Sequence, residues 1–99
     1  MKEIINSLDK LLESRVRLGV MSLLSVNEMM DFNTLKDLMN LTDGNLASHI
    51  SALEKEKYIK VKKGFIGKKT KTNYLLTEKG RKAFDEHLKV LEKLIKESK

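Results

Sequence analysis

The chain has 99 residues, of which 40% are hydrophobic and 34% charged, and a net charge of +6. A chain this long hides roughly 60–70% of its unfolded surface, enough for one modest core, so residues 1–99 are read as a single domain. Cysteine is absent, which excludes disulfides, thiolate metal sites and thiol redox sensing; no apolar run nears the ~20 residues of a membrane span, and Met1-Lys2-Glu3-Ile4-Ile5 lacks the apolar stretch of a signal peptide, so no membrane partner and a cytoplasmic location are expected.

Ile4, Ile5, Leu8, Leu11 and Leu12 recur at helical spacing. Val16, Val20, Leu23 and Leu24 continue the pattern, with Leu18 and Met21 widening the apolar face. The phase shifts near Ser14, which predicts helices over 3–12 and 14–26, or one bent helix. Asn27-Glu28 closes that block, and Met29-Met30-Asp31-Phe32 fits a very short strand. Asn33 or Thr34 suits the N-cap of a helix through Asn40, with Leu35, Leu38 and Met39 inward. Leu41 to Asp43 is a tight connection, and Thr42 and Asp43 are both good caps for a helix to about Glu56. In that helix Leu46, Ile50 and Leu53 form one apolar stripe, and Asn45, Ser48, His49, Ser51 and Ala52 lie opposite, all small or able to hydrogen-bond.

Tyr58-Ile59-Lys60-Val61-Lys62-Lys63 largely alternates, as a half-buried strand should. Gly64 to Thr72 is read as the turn region, with Gly67 near its centre, and Asn73-Tyr74-Leu75-Leu76 as the returning strand. Thr77-Glu78-Lys79-Gly80 is a further cap signal. Ala83, Phe84, Leu88, Leu91, Leu94 and Ile95 then stripe a final helix over 80–97. The charge excess is local: Lys55 to Asn73 holds eight lysines against one acid, Glu56, whereas the rest of the chain is nearly neutral. Such a patch implies a polyanionic partner more strongly than a uniformly basic surface does.

The order helix, helix, short strand, helix, helix, strand, strand, helix is that of a winged helix: mainly α with a small β-hairpin, a helix-turn-helix over 34–56 and a wing over 58–76. The run Thr42-Asp43-Gly44-Asn45-Leu46-Ala47-Ser48-His49-Ile50-Ser51-Ala52-Leu53-Glu54 resembles the recognition helix of small winged-helix regulators related to the MarR and ArsR groups. Arg17-Leu18-Gly19-Val20-Met21-Ser22-Leu23-Leu24 resembles their core helix, and Leu76-Thr77-Glu78-Lys79-Gly80-Arg81-Lys82-Ala83-Phe84 the end of their wing and start of their last helix. The resemblance covers about Arg15 to Phe84 and implies a DNA-binding transcriptional regulator. One departure stands out. Lys57 occupies the site, between recognition helix and wing, where the family usually places glycine in a left-handed backbone.

In such a fold the first turns of the second helix meet base edges. Asn45 suits a bidentate pair with adenine, Ser48 and His49 project from the next turn, and Ala52 is small enough to meet a thymine methyl. Gly44 lets the backbone approach phosphate. Lys68, Lys69, Thr70, Lys71 and Thr72 are expected at the wing tip, on phosphate or in the flanking minor groove. Arg17 is expected in a structural ion pair rather than on DNA.

Double-stranded DNA is therefore the expected partner, bound by a homodimer. Helices 3–12 (Ile4, Ile5, Leu8, Leu11, Leu12) and 80–97 (Leu88, Leu91, Ile95) would serve as N- and C-terminal dimerisation helices. No enzyme is expected: His49 and His87 lie on different elements, no metal-ligand spacing or phosphate loop occurs, and no cofactor or metal is implied. A small-molecule effector between the dimer helices and the core has room in this scheme, but the sequence names no ligand. The competing functions are a winged helix that binds a protein, and a nonspecific nucleic-acid-binding module.

Overall fold

A computed structural model describes residues 1–98. It contains α1 (Lys2–Asn6), a 3-10 turn (Lys10–Leu12), α2 (Arg15–Val26), β1 (Met30–Asp31), α3 (Phe32–Met39), α4 (Asp43–Lys55), β2 (Ile59–Ile66), β3 (Lys69–Leu76) and α5 (Glu78–Glu97). Helix order, helix-turn-helix and hairpin are those of a winged helix-turn-helix.

The expected helix over 3–12 is broken in two. Asp9 is extended, at φ −76° and ψ 114°, and its carboxylate accepts from the backbone N–H of Leu11 at 2.9 Å. A short side chain that can cap its own downstream turn competes with continuing the helix. The cap of α3 also differs from expectation. Asp31, not Asn33 or Thr34, accepts from the N–H of Thr34 at 3.3 Å and from its hydroxyl at 2.6 Å. Those two bonds, chiefly the hydroxyl's, hold the Asp31 carboxyl below its usual range against the opposing effect of burial. Thr42 and Thr77 cap α4 and α5 as expected, accepting from Asn45 N–H at 3.2 Å and Gly80 N–H at 2.9 Å.

Leu12, Val20, Met21, Leu24, Leu35, Leu46, Leu53 and Ile59 lie within one buried cluster, closed by Tyr58, Tyr74 and Phe84. α2 is its central rod, touching α4, α5 and β3. Leu38, expected inward, is 62% exposed; Leu35 and Met39 supply the inner side of α3 instead.

Both helices of the helix-turn-helix end in the same way. Asn40 and Lys57 adopt left-handed backbones, at φ 53° and 64°. Around Lys57 its own N–H donates to Glu54 O at 2.9 Å and that of Tyr58 to Leu53 O at 3.0 Å, a paired closure known as a Schellman motif. Asn40 and Leu41 repeat it against Asp37 and Lys36. The left-handed site expected between α4 and the wing is therefore present, with lysine in it.

The sheet has the order β1-β3-β2, all antiparallel. The hairpin is longer than the sequence suggested. Its ladder runs from Ile59↔Leu76 to Ile66↔Lys69, leaving only Gly67 and Lys68 as the turn. Gly67 takes φ +63°, the left-handed backbone for which a two-residue hairpin loop selects glycine. The segment read as turn pairs strand to strand because a two-residue loop leaves its amides free to complete the ladder.

Candidate nucleic-acid interface

Leu46, Ile50 and Leu53 anchor α4 in the core, at 0%, 3% and 0% exposure. That anchoring fixes which side of the helix meets solvent. Gly44, Asn45 and Ser48 are exposed there, together with Ala47 and Ser51; His49 and Ala52 are half-buried. Asp43 sits in the first turn, where its carboxylate meets Lys36 Nζ at 2.8 Å. That pair leaves the opening of α4 without a free negative charge beside Asn45. Among the described residues, the outward face between Gly44 and Ala52 carries no charged side chain.

The hairpin supplies the cations. Past Tyr74, its last buried residue, it projects about five residue pairs, or roughly 17 Å of strand. Directly paired residues share a face. Lys60, Lys62, Lys69 and Lys71 therefore stand on one face, with Gly64 opposite Lys71, while Lys63, Thr70 and Thr72 stand on the other. Lys68 is in the turn itself. Lys68, Lys69 and Thr70 are exposed, and Lys71 and Thr72 are half-buried. Lys71 is partly committed, its ammonium lying 3.8 Å from the Asp31 carboxylate. Phe65 and Ile66, 76% and 64% exposed, flank the turn, within the stretch expected to be loop.

Arg17 is structural, but not through an ion pair: among the described residues no carboxylate lies within 4.0 Å of it. Its Nε donates to Leu11 O at 2.6 Å and its Nη1 lies 2.9 Å from His49 Nδ1. Burial first, and the neighbouring guanidinium second, hold the His49 imidazole below its ordinary pKa. His49 is thus tied back toward α2 rather than standing free beside Ser48.

A polar junction beneath the wing also went unread in the sequence. Tyr58 Oη donates to Asp9 Oδ2 at 2.5 Å, and the Asp9 N–H donates to Nδ1 of the buried His87 at 3.1 Å. It joins the segment after α1, the residue just before β2 and the middle of α5. Its members are 49 and 78 residues apart, so no local spacing announces it.

The apolar residues assigned to dimer helices divide. Ile5, Leu88 and Ile95 are 49%, 42% and 62% exposed. Ile4, Leu8, Leu11 and Leu91 are half-buried, and α1 packs along α5. Leu12 must be withdrawn from that surface. It is 1% exposed and belongs to the core, because the break at Asp9 turns the 3-10 segment inward.

Among the described residues, no group of His, Asp or Glu is placed to hold a metal ion, and no helix is long and apolar enough to cross a membrane. Residues 16–95 match the family described as winged helix DNA-binding domain. The uncharacterized protein MJ0432 of Methanocaldococcus jannaschii is 40% identical over 79 residues, which cover 80% of this chain and 86% of that protein. A transcriptional regulator homologue protein from Pyrococcus horikoshii OT3 superposes with a TM-score of 0.84 at 33% identity, over 96% of this chain and 92% of that one. The structure of Bacillus subtilis PadR in complex with operator DNA shares the fold, with a TM-score of 0.68 and 15% identity over 78% of this chain and 48% of its own. By the span of the family match and the identity of these relatives, this chain belongs to the winged helix DNA-binding domain family.

Proposed function

We propose that the protein is a sequence-specific, double-stranded-DNA-binding transcriptional regulator that acts as a homodimer. One observation carries the reading: an uncharged, small-residue side of a core-anchored helix runs through a single turn into a protruding lysine hairpin. A compact helix face of that kind fits the major groove, where Asn45 would read adenine, Ser48 and His49 would meet neighbouring bases or phosphate, and Ala52 a thymine methyl. Gly44 allows close backbone approach. Lys68 and Lys69, with Thr70, Lys71 and Thr72 behind them, would grip phosphate or the flanking minor groove. PadR, which shares the fold and was solved in complex with operator DNA, supports duplex DNA as the partner.

One winged helix covers only a half-site. Ile5, Leu88 and Ile95, with Ile4, Leu8, Leu11 and Leu91 behind them, offer an apolar surface for a second copy, which would place two recognition helices about 34 Å apart on a palindrome. The protein works by binding, not by catalysis.

Mobility shifts on random and selected duplexes, each at two salt concentrations, test the reading. Steep salt dependence with preference for the selected duplex is expected. Salt-flat binding would instead favour a protein-interaction winged helix, and steep binding without preference a nonspecific module.

A further inference from the structure

We infer that Arg17 is a positioning residue for base readout: by occupying His49 Nδ1 it fixes the imidazole as a lone Nε2–H donor on the recognition helix. The inference rests on the DNA-binding reading above. A guanidinium has donors and no acceptor. At 2.9 Å from Arg17 Nη1, Nδ1 therefore carries a lone pair and no proton. A neutral imidazole has one N–H, which is then on Nε2.

The guanidinium is itself held before any DNA arrives. Arg17 lies in the first turn of α2, and its Nε donates to Leu11 O at 2.6 Å. That carbonyl belongs to the 3-10 turn, which Leu12 pins in the core. The clamp thus spans three elements: the turn after α1, the start of α2 and the middle of α4. The local environment works in the same direction, since both burial and the guanidinium disfavour a protonated ring.

A fixed donor reads bases one way. It pairs with guanine N7 or O6, adenine N7 or thymine O4, and it cannot accept from cytosine N4, the only hydrogen-bonding group cytosine shows in the major groove. An unclamped histidine could present either nitrogen as acceptor, and its position would discriminate less. Asn45, one helical turn earlier, carries both a donor and an acceptor. The two residues would then read by different rules, His49 excluding bases that offer only a donor.

The test begins on the free protein. Long-range proton–nitrogen correlation spectra of 15N-labelled protein should show His49 bare at Nδ1 and protonated at Nε2. Arg17→Met should give a mixture of tautomers, with Arg17→Gln, whose amide can either donate or accept, as the milder variant should the first not fold. Selection from a random duplex pool should then yield one position per half-site at which wild type excludes cytosine. Arg17→Met and His49→Ala should each lose roughly tenfold discrimination at that same position, and the double variant no more than either alone. A wild-type Nδ1–H signal overturns the inference, and so does a variant with unchanged spectrum and selected sequence. Specific binding by wild type with those results sinks the inference alone; no salt-steep duplex binding by wild type sinks the DNA reading and the inference with it.

Discussion

Gly80 lies directly against the backbone of Tyr58, with no room for a Cβ before the Tyr58 carbonyl. The same carbonyl accepts from the N–H of Thr77 at 3.1 Å, while Thr77 Oγ1 donates to Lys57 O at 2.6 Å. The turn after the recognition helix is thereby bolted to the start of α5. Gly80→Ala should force these backbones apart, at about 1–3 kcal/mol. Urea unfolding is expected to show a lower midpoint at unchanged slope; an equal midpoint would mean the two segments separate freely.

Lys57 is the counterpart on the other side of that bolt. Its φ of 64° strains a residue with a Cβ, whereas Asn40 at φ 53° is of a type that tolerates the region. Lys57→Gly keeps the carbonyl that Thr77 uses. It should stabilise the fold by about 0.5–1 kcal/mol, the relieved strain partly offset by a freer unfolded chain. Thermal denaturation with no upward shift would place the strain elsewhere.

The legible parts of this chain are those whose signal is local. Leu46, Ile50 and Leu53 announce the buried side of α4, and Thr42 and Thr77 announce their helix starts, because periodicity and capping act within a few residues. The failures share a cause too. Nothing in the spacing of Leu11 and Leu12 shows that Asp9 will cap a new turn and send Leu12 inward. Lysine and threonine between Gly64 and Thr72 read as loop, since strand pairing there is decided by a partner across a two-residue turn. Leu38 faces solvent because α3 is only eight residues long and its contacts are set by α2, β1 and β3. On the site, exposure of Asn45 and Ser48 follows from the apolar stripe behind them, while the Arg17–His49 clamp joins residues 32 apart and leaves no local trace.

The two halves of the interface should fail differently. Asn45→Ala should cost roughly 1–3 kcal/mol on a selected duplex and relax preference at one base pair. Lys68→Ala and Lys69→Ala should each weaken binding to every duplex and reduce the slope of log affinity against log salt by about one unit. Lys71→Ala should reduce it less, because its ammonium already leans on Asp31. Equal slopes for all three lysine variants and wild type would remove the wing from the phosphate grip.

Exposure also separates fold from assembly. Leu88→Glu and Ile95→Glu place charge on residues 42% and 62% exposed, so they should leave the unfolding midpoint almost unchanged and shift sedimentation from dimer to monomer. Leu12→Ala should do the reverse. Its side chain is buried in the core, and truncation there costs about 2–5 kcal/mol. A wild type that sediments as monomer at micromolar concentration, on and off DNA, would end the dimer proposal.

The junction of Tyr58, Asp9 and His87 should govern the alkaline limit of stability. Burial first, then the bond to Asp9, push the Tyr58 phenol well above its ordinary pKa. A phenol whose folded-state pKa is raised stabilises the fold fully below its unfolded value, near 10, and that contribution is lost as pH climbs past it. Tyr58→Phe removes the proton and the 2.5 Å bond to Asp9 together. It should cost about 1–2 kcal/mol near neutral pH, because the Asp9 carboxylate loses a partner in a half-buried site. The difference between the two proteins should then shrink as pH rises above about 10, where wild type forfeits what the variant never had. Comparing them at each pH cancels the lysines, which titrate in both. Urea unfolding between pH 7 and 11, values bracketing the phenol's ordinary range, makes the comparison. A gap that stays constant throughout would mean that Tyr58 gains nothing from its proton and that Asp9 holds the N-terminal segment through Leu11 and His87 alone.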